Sequence, residues 1–526
     1  MDSQENLQVE DPSSRPKHVV VVLLDSLNRH LLGAYGGREF TTPNLDRFAE
    51  KSVVFENHHT GSLPCMPARH DLLVGALDFP WRPWGSVEIW EDAITFALRQ
   101  AGVTTMLVSD HPHLFECGGE NYHIDFDAWE YVRGHENDPW KTRPDPSWIG
   151  TPALPVDEPR RGHFKYQDSR TWFKSEEDFP GPQTMQAAVR WVITNAGHHE
   201  RSLLVVDEFD PHEPFDTPEP WASMYREQGD DPWMIWPPYV IDGLKNGLIT
   251  EEEGRSLRAA YGAKLSMIDH WFGKLLDAID SSPDSDETAV IICTDHGHYL
   301  GEFDVWGKPG FPIHNTLGHI PMMIRWPGIE PRREQALTTT VDIHATLCDI
   351  YEISVDHRTH GRSLVPLVKQ KVSGVRDHCL SGYWGREVQL VTQDYTYTRG
   401  SVGDGFPLSM WSNRWSTMPV HSRPDIRLPR PDQRAYLDAM PGSSVPVIRQ
   451  PFMQGDFLPF WAYGGLKNEN LLFDRNVDPG ELDNLAAVHG TVQTDVEKSL
   501  VQRLKEALLE INAPNDVLER LGLLGN

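Results

Sequence analysis

The strongest constraint on the fold is the run from His18 to Leu24 (HVVVVLL), which is almost entirely apolar and β-branched. A strand with one solvent-facing side alternates apolar and polar residues, so this unbroken run predicts a strand buried on both faces of a parallel sheet. Similar runs recur at 104–109, 202–207 and 288–294, with predicted helices between them. This alternation of strands and helices predicts an α/β fold.

Two of these predicted strands end in residues that can bind a metal ion. Asp25 follows the first strand, and Asp295 and His296 follow the strand at 288–294. Because ligands of open α/β sheets gather at the carboxyl ends of the strands, these residues could converge on one divalent cation. Two such strand ends also occur by chance, so the residues alone leave open whether they are metal ligands or ordinary turn residues.

A cysteine between two prolines, in the segment 63–69 (LPCMPAR), is the candidate nucleophile. Pro67 favours the first turn of a helix, which would place Cys65 just ahead of a helix N-terminus, where free N–H groups favour an anion. Arg69 would then reach back over the same turn with a planar guanidinium that suits a tetrahedral oxyanion. The segment is therefore a candidate site for a sulfate or phosphate ester. The alternative is a buried structural cysteine beside an ordinary turn.

The pattern Cys-x-Pro-x-Arg, followed by x-x-x-Leu-x-Gly, resembles the signature of the type I sulfatases of the alkaline phosphatase superfamily. Several other segments are similar to the same family, namely 32–57, 209–215, 295–308, 321–328, 361–367 and 478–485. The resemblance implies a large mixed, mostly parallel sheet sandwiched by helices. It also implies a smaller C-terminal subdomain built on an antiparallel sheet.

The resemblance also assigns roles to individual residues. It implies that Cys65 is oxidised to formylglycine (3-oxoalanine) by a formylglycine-generating enzyme. One hydroxyl of the hydrated aldehyde attacks sulfur, and the second loses a proton and expels sulfate. The implied metal ligands are Asp25, Cys65, Asp295 and His296, around one divalent cation that we expect to be Ca²⁺, with Mn²⁺ or Mg²⁺ as alternatives. The other implied catalytic residues are Arg69, His212 as general acid, and Lys308 as a contact of the ester oxygens.

The sequence departs from the family pattern at two places near this site. Sulfatases usually carry a second aspartate after the first, and this chain has Ser26 there, as in the related phosphonate monoester hydrolases. Many sulfatases also carry a Gly-Lys-Trp-His run after the strand at 104–109, where this chain has Asp110, His111 and His113. The lysine is absent, so His111 or His113 could bind the substrate in its place or could lie in solvent.

The implied function is hydrolysis of small sulfate monoesters, as in arylsulfatases. Hydrolysis of phosphonate monoesters or phosphodiesters at the same site is the alternative within the enzymes. A catalytically silent binding protein of this fold is the alternative from another class, because fold alone does not fix activity. The aromatic inserts suggest only a hydrophobic or sugar-like organic group.

The length of 526 residues exceeds one typical core. We predict a flexible N-terminus at 1–17 and a catalytic α/β domain at 18–370 with inserts at 130–182 and 214–245. A C-terminal subdomain with a closing helix would follow at 371–526.

Composition restricts the partners and the compartment. The chain has 48 Lys and Arg against 77 Asp and Glu, a formal charge of −29, which disfavours nucleic acid and anionic membranes as partners. Five cysteines without a Cys-x-x-Cys pair indicate no disulfide framework. The polar, acidic segment 1–17 does not read as a secretory signal. We therefore expect a cytoplasmic protein, which could form a homo-oligomer.

Overall fold

The structure is a computed structural model that describes residues 15–116, 118–147, 164–227, 234–415, 431–486 and 494–524. Most of the predicted N-terminal segment therefore lies outside the described residues, as do 148–163 and 228–233 of the two predicted inserts. Among the described helices, none is long and apolar enough to span a membrane.

The strands of the described residues run from the first predicted strand to the C-terminal subdomain. They are β1 (His18–Leu24), β2 (Val53–His59), β3 (Ser62–Leu63), β4 (Thr104–Ser109), β5 (Ala128–Tyr131), β6 (Ser202–Glu208), β7 (Val240–Ile241), β8 (Thr288–Cys293), β9 (Tyr299–Leu300), β10 (Val305–Gly307), β11 (Met322–Arg325), β12 (Arg332–Thr339), β13 (Cys379–Tyr383), β14 (Val388–Val391), β15 (Tyr395–Arg399), β16 (Leu408–Ser412), β17 (Tyr436–Ala439), β18 (Pro446–Phe452) and β19 (Asn470–Asp474).

The α-helices of the described residues vary from single turns to one helix of 30 residues, α6. They are α1 (Pro43–Ala49), α2 (Cys65–Val74), α3 (Ile94–Gln100), α4 (Phe164–Arg170), α5 (Pro180–Asn195), α6 (Glu251–Asp280), α7 (Asn315–Gly318), α8 (Val341–Tyr351), α9 (Val365–Val368), α10 (Phe460–Tyr463), α11 (Asp495–Glu510) and α12 (Asn515–Arg520).

An eight-stranded sheet forms the centre of the molecule, in the order β12-β2-β11-β8-β1-β6-β4-β5. Strand β11 runs antiparallel to both of its neighbours, and the other pairings in this sheet are parallel. The prediction of a mixed, mostly parallel sheet is therefore confirmed. Because β8, β1, β6 and β4 run in the same direction, their carboxyl ends meet at one edge of the sheet.

The two faces of the central sheet explain why β1 is apolar on both sides after His18. Val19 and Val21 point into one hydrophobic core, together with residues of α2 and α8. Val20 and Val22 point into a second core on the other face, together with residues of α6. An unbroken apolar run is therefore what this position in the sheet requires.

The C-terminal part contains a five-stranded sheet in the order β19-β15-β14-β13-β3. Its β13–β14, β14–β15 and β15–β19 pairings are antiparallel, as predicted. However, β3 comes from the segment just before Cys65 and pairs in parallel with β13, with Leu63 opposite Tyr383. A third sheet, β16-β18-β17, occupies part of the region 400–460, where no element was predicted. The predicted domain boundary at residue 370 stays a prediction.

Candidate active site

The candidate metal ligands lie together where β1 and β8 end and α2 begins. Asp25, Cys65, Asp295 and His296 are all buried, and one ligand atom from each lies within 4.8 Å of those of the other three. Cys65 Sγ lies 3.2 Å from His296 Nε2. The sequence predicted that Cys65 lies just ahead of the helix. In the structure it is instead the first residue of α2.

The protonation of His296 suits a metal ligand. Its Nδ1 lies 2.9 Å from the carbonyl oxygen of Gly297, so the ring proton is placed on Nδ1 and Nε2 is left as a lone-pair donor. Burial lowers the pKa of His296 to about 4, which keeps the ring neutral. With the carboxylates of Asp25 and Asp295, the donor set fits one divalent cation.

The two carboxylates respond differently to being buried side by side. Burial and the neighbouring Asp295 raise the pKa of Asp25 well above its ordinary value. Burial also acts against the charge of Asp295, but His296, Arg69 and the backbone N–H of Ser26 lower its pKa below the ordinary value. Two buried carboxylates in contact need a positive partner, which Arg69 provides in part and a cation would complete.

Arg69 faces carboxylates and not open space. Its Nε and Nη2 donate to the two oxygens of Asp207, at 2.9 and 2.7 Å. Its Nη1 lies 2.9 Å from both Asp25 and Asp295 and 3.2 Å from the Cys65 carbonyl oxygen. The predicted reach over the first turn is present, but the guanidinium holds three carboxylates and is not free to receive an oxyanion. Asp207 was not among the predicted site residues.

Ser26 stands where the second aspartate of the family pattern would be. Its backbone N–H donates to Asp295 at 3.0 Å, and its hydroxyl donates to Asp25 at 2.8 Å and accepts from Lys308 Nζ at 3.2 Å. Burial opposes the charge of Lys308, but Cys65, Tyr239 and nearby carboxylates raise its pKa well above the ordinary value. Ser26 therefore connects a charged lysine to the carboxylate of Asp25.

The two histidines after β4 differ in their surroundings. His111 is fully buried, and its Nδ1 accepts the backbone N–H of His113 at 3.2 Å, so its proton is placed on Nε2, which lies 3.8 Å from Asp25. Burial, with Arg69 nearby, lowers the pKa of His111 well below its ordinary value, so this ring is a neutral N–H donor beside the site. His113 instead has both ring nitrogens close to carboxylates, Glu116 at 3.0 Å and Glu136 at 3.4 Å. It therefore presents no free nitrogen to a substrate.

Asp110, which replaces the expected lysine, lies in a second buried cluster of charges. One of its oxygens accepts the backbone N–H of Phe209 at 2.8 Å, and burial raises its pKa to about 6. In the same cluster, Asp210 lies 2.5 Å from Lys264 Nζ and 2.7 Å from His135 Nε2. The negative charge that Asp110 brings near the site is thus partly balanced by Lys264. It lowers the positive potential of the site less than the replacement of a lysine by an aspartate alone suggests.

His212, the candidate general acid, lies in the segment that follows β6. Its ring stacks on Phe209 with centroids 4.2 Å apart, and its Nδ1 lies 2.8 Å from the carbonyl oxygen of Glu213. Burial lowers the pKa of His212 well below its ordinary value. The remaining nitrogen, Nε2, is the one that can exchange a proton with a substrate.

Three other residues of the site region were not predicted. Glu213 accepts a hydrogen bond from the hydroxyl of Tyr239. His298 is fully buried, lies next to the rings of Phe215 and Tyr261, and has no hydrogen-bond partner on either ring nitrogen in the described structure. Glu213 and His298 occur inside segments that resemble the family, but the resemblance gave them no role.

The arrangement defines a class of protein. A buried thiol at a helix start, a cation site and a charged lysine meet at the carboxyl edge of a mixed α/β sheet. These are the groups that a metal-dependent hydrolase needs to act on anionic esters. The family model of Sulfatase matches residues 17–353, which is more than half of the chain, so the chain belongs to the sulfatase family of the alkaline phosphatase superfamily. It is an enzyme that hydrolyses sulfate esters.

Curated relatives agree with this assignment. The choline-sulfatase of Rhizobium meliloti (strain 1021) is 28% identical over 374 residues, which cover 67% of this chain and 71% of the relative. The arylsulfatase of Clostridium perfringens (strain 13 / Type A) is 23% identical over 403 residues, which cover 69% and 80%.

Solved structures share the fold over nearly the whole chain. The phosphonate monoester hydrolase of Agrobacterium radiobacter has a TM-score of 0.62 at 18% identity and covers 95% of this chain and 96% of its own. A 2-O GAG sulfatase has a TM-score of 0.59 at 17% identity, with coverage of 97% and 93%. At these identities the likeness shows the fold alone, and the predicted fold class is confirmed.

Proposed function

We propose that this sulfatase hydrolyses small sulfate monoesters of the arylsulfatase type at residue 65, after a formylglycine-generating enzyme has oxidised Cys65. The observation that carries the proposal is the position of Cys65 Sγ, 3.2 Å from His296 Nε2 and inside the group of cation ligands. A structural cysteine has no need of two carboxylates and an imidazole around it. When formed, the hydrated aldehyde supplies one hydroxyl to attack sulfur and a second whose proton loss expels sulfate.

Asp25, Asp295 and His296 would hold the cation next to residue 65. A cation there lowers the pKa of a coordinated hydroxyl and balances charge on the sulfuryl oxygens. We propose Ca²⁺, because carboxylate oxygens dominate the donor set. The imidazole of His296 leaves Mn²⁺ and Mg²⁺ as alternatives, and metal analysis of the purified protein distinguishes the three ions.

Three side chains would act on the ester itself. Lys308 would bind the sulfate oxygens with its positive charge, and the neutral His111 would donate its Nε2 proton to a further oxygen. His113 has both ring nitrogens engaged, so we assign the contribution of this segment to His111. His212 would protonate the leaving oxygen through Nε2.

The charge of the site favours a monoanionic substrate. Arg69 and Lys308 lie among the carboxylates of Asp25, Asp207, Asp295 and Glu213, so the site has fewer positive than negative side chains. A divalent cation would offset this difference without creating a large positive charge, and a site of low net charge accepts the single charge of a sulfate monoester more easily than the nearly double charge of a phosphate monoester.

Hydrolysis of phosphonate monoesters is the second candidate, and the absence of a second aspartate at Ser26 favours it. The deciding experiment compares kcat/KM for 4-nitrophenyl sulfate, 4-nitrophenyl phosphate and a 4-nitrophenyl phosphonate monoester, with Cys65→Ala as the control. We expect the sulfate to exceed the phosphate by orders of magnitude. A better rate with the phosphonate would replace our substrate assignment. The name of the R. meliloti relative adds choline sulfate to the panel.

We also propose a cytoplasmic location without nucleic-acid or membrane partners. The net charge of −29 and the free thiols of Cys65, Cys293, Cys348 and Cys379 support this proposal. A homo-oligomer is a further proposal, and size-exclusion chromatography with light scattering measures it directly.

A further inference from the structure

A buried carboxylate lies beside the candidate general acid and has no role in the mechanism described so far. We propose that Glu213 is a positioning residue for His212, whose carboxylate holds the His212 ring in the orientation and charged form that can protonate the leaving oxygen. The proposal rests on the proposed function, because it assigns a partner to the general acid of that reaction.

The geometry places two oxygens of Glu213 on the same side of the His212 ring. The Glu213 carbonyl oxygen lies 2.8 Å from His212 Nδ1, and Oε2 of its carboxylate lies 3.5 Å from the same nitrogen. Oε2 is buried and has no hydrogen-bond partner in the described structure. The carbonyl oxygen accepts the Nδ1 proton, which leaves Nε2 as the nitrogen that meets the leaving group, and the carboxylate places a negative charge beside the same ring nitrogen.

The charge of Glu213 matters because His212 must carry two ring protons to act as an acid through Nε2. Burial opposes this charged form, and the carboxylate of Glu213 is the largest influence that raises the pKa of His212 against it. The other charged or titratable groups that act on His212 are Lys308 and His135, which lower its pKa, and the neutral His111. Glu213 itself stays ionised, since His212 and Lys308 lower its pKa despite burial.

Tyr239 holds the carboxylate from the opposite side. Its hydroxyl donates to Glu213 Oε1, and its ring packs against Gly307, where an added Cβ would lie 2.8 Å from the ring. The next residue, Val240, pairs with Trp306 in β10, two residues before Lys308. Glu213 is thus fixed between the histidine and the segment that carries the substrate lysine. If this contact served only to fasten the 239–241 segment, Glu213 would not influence the chemistry of the leaving group.

The proposed step is a proton transfer. As the bond between sulfur and the leaving oxygen breaks, its electron pair stays on that oxygen, which takes the proton from His212 Nε2. The imidazolium becomes a neutral imidazole that keeps its Nδ1 proton, which is hydrogen-bonded to the Glu213 carbonyl oxygen, and it recovers the Nε2 proton from water. A leaving group that is already a weak base, such as 4-nitrophenolate, needs this proton far less than phenolate does.

The test is the variant Glu213→Gln with a series of aryl sulfates from 4-nitrophenyl to unsubstituted phenyl sulfate. General acid catalysis contributes about 10²–10⁴-fold, of which we expect Glu213 to carry about 10–100-fold for phenyl sulfate. The loss for 4-nitrophenyl sulfate should be at least about tenfold smaller, so log kcat/KM falls more steeply with leaving-group pKa. The basic limb of the phenyl sulfate pH profile should move to lower pH, because His212 loses its proton more easily without the carboxylate.

Three further variants separate positioning from stability. Adding Glu213→Gln to His212→Ala should cause no further loss, because Glu213 acts through His212. Tyr239→Phe should move the leaving-group dependence in the same direction by a smaller amount. This variant replaces Glu213→Gln in the test if Glu213→Gln does not fold. Glu88→Gln removes a buried carboxylate paired with Arg82 away from the site, so it should lower Tm without changing the leaving-group dependence.

The contrary results are equally clear. Equal losses across the leaving-group series, or additive losses with His212→Ala, would overturn the role of Glu213 while wild-type activity on 4-nitrophenyl sulfate upholds the proposed function. If the wild type prefers phosphonate monoesters, the sulfate assignment fails. The same leaving-group series made as phosphonates then tests Glu213.

Discussion

Asp207→Asn should weaken both the stability of the protein and its affinity for the cation. Asp207 is 4% exposed, and its two oxygens bind Nε and Nη2 of Arg69. An asparagine keeps the shape of the side chain but loses its charge, and its NH₂ group then faces an N–H donor of Arg69. The guanidinium charge is left to Asp25 and Asp295, the same carboxylates that the cation needs.

The magnitude follows from the contacts that are lost and kept. Removing one partner of a buried ion pair costs about 3–5 kcal/mol. Because Arg69 keeps its Nη1 contacts at 2.9 Å to Asp25 and Asp295, we expect the lower end, about 3 kcal/mol, or a Tm lower by about 3 °C. Outer partners of a metal site change metal affinity by about 10–100-fold, so we expect the cation Kd to rise by about tenfold.

Calorimetric titration of Ca²⁺ and Mn²⁺ into chelator-treated protein measures this Kd, and a thermal scan in chelator measures the Tm. Asp216→Asn is the matched control, since Asp216 is a buried carboxylate that pairs with Arg170 outside the cation site. The control should lower the Tm and leave the Kd unchanged. An unchanged Kd in Asp207→Asn would refute the reasoning that Arg69 divides its charge between Asp207 and the metal ligands.

Further predictions concern the nucleophile, the cation and the pH dependence. Peptide mass spectrometry of protein co-expressed aerobically with the modifying enzyme should find residue 65 largely as the aldehyde, and thiol alone would contradict the formylglycine mechanism. The divalent cation should raise the wild-type Tm, because it stabilises only the folded state, and Asp25→Asn or Asp295→Asn should abolish both this rise and the activity. Burial lowers the pKa of His113, but Glu116 and Glu136 more than offset it and raise the pKa to about 10. The contacts of protonated His113 with the two carboxylates stabilise the folded protein fully below the unfolded pKa, about 6.5, and this stabilisation is lost as pH rises towards 10. Glu116→Gln should therefore flatten the decline of Tm over that range.

The elements that the sequence located well are those whose burial is decided by local pattern. The runs at 18–24 and 104–109 became β1 and β4 with the same bounds, and the run at 288–294 became β8, Thr288–Cys293. In the sheet β16-β18-β17, the outer strand β17 is mostly exposed and carries no apolar alternation, so no local pattern predicts that strand. The pairing of β3 with β13 joins residues more than 300 positions apart, and no local pattern encodes that contact.

The same distinction between local pattern and long-range contact applies to the residues of the candidate site. Asp25, Cys65, Asp295 and His296 were identifiable because they lie in motifs that resemble those of the family, near the ends of β1 and β8 and at the start of α2. The groups that set the charge of the site residues lie in other segments of the chain. Asp207, from β6, pairs with Arg69, and the hydroxyl of Tyr239 binds Glu213, which lies beside His212. A sequence motif identifies the residue that performs a chemical step. The charge state of that residue also depends on neighbouring side chains outside the motif, which can be substituted while the motif stays the same. A substitution at Asp207 or Glu213 is therefore expected to change metal affinity or leaving-group preference in this chain while the signature around Cys65 stays the same.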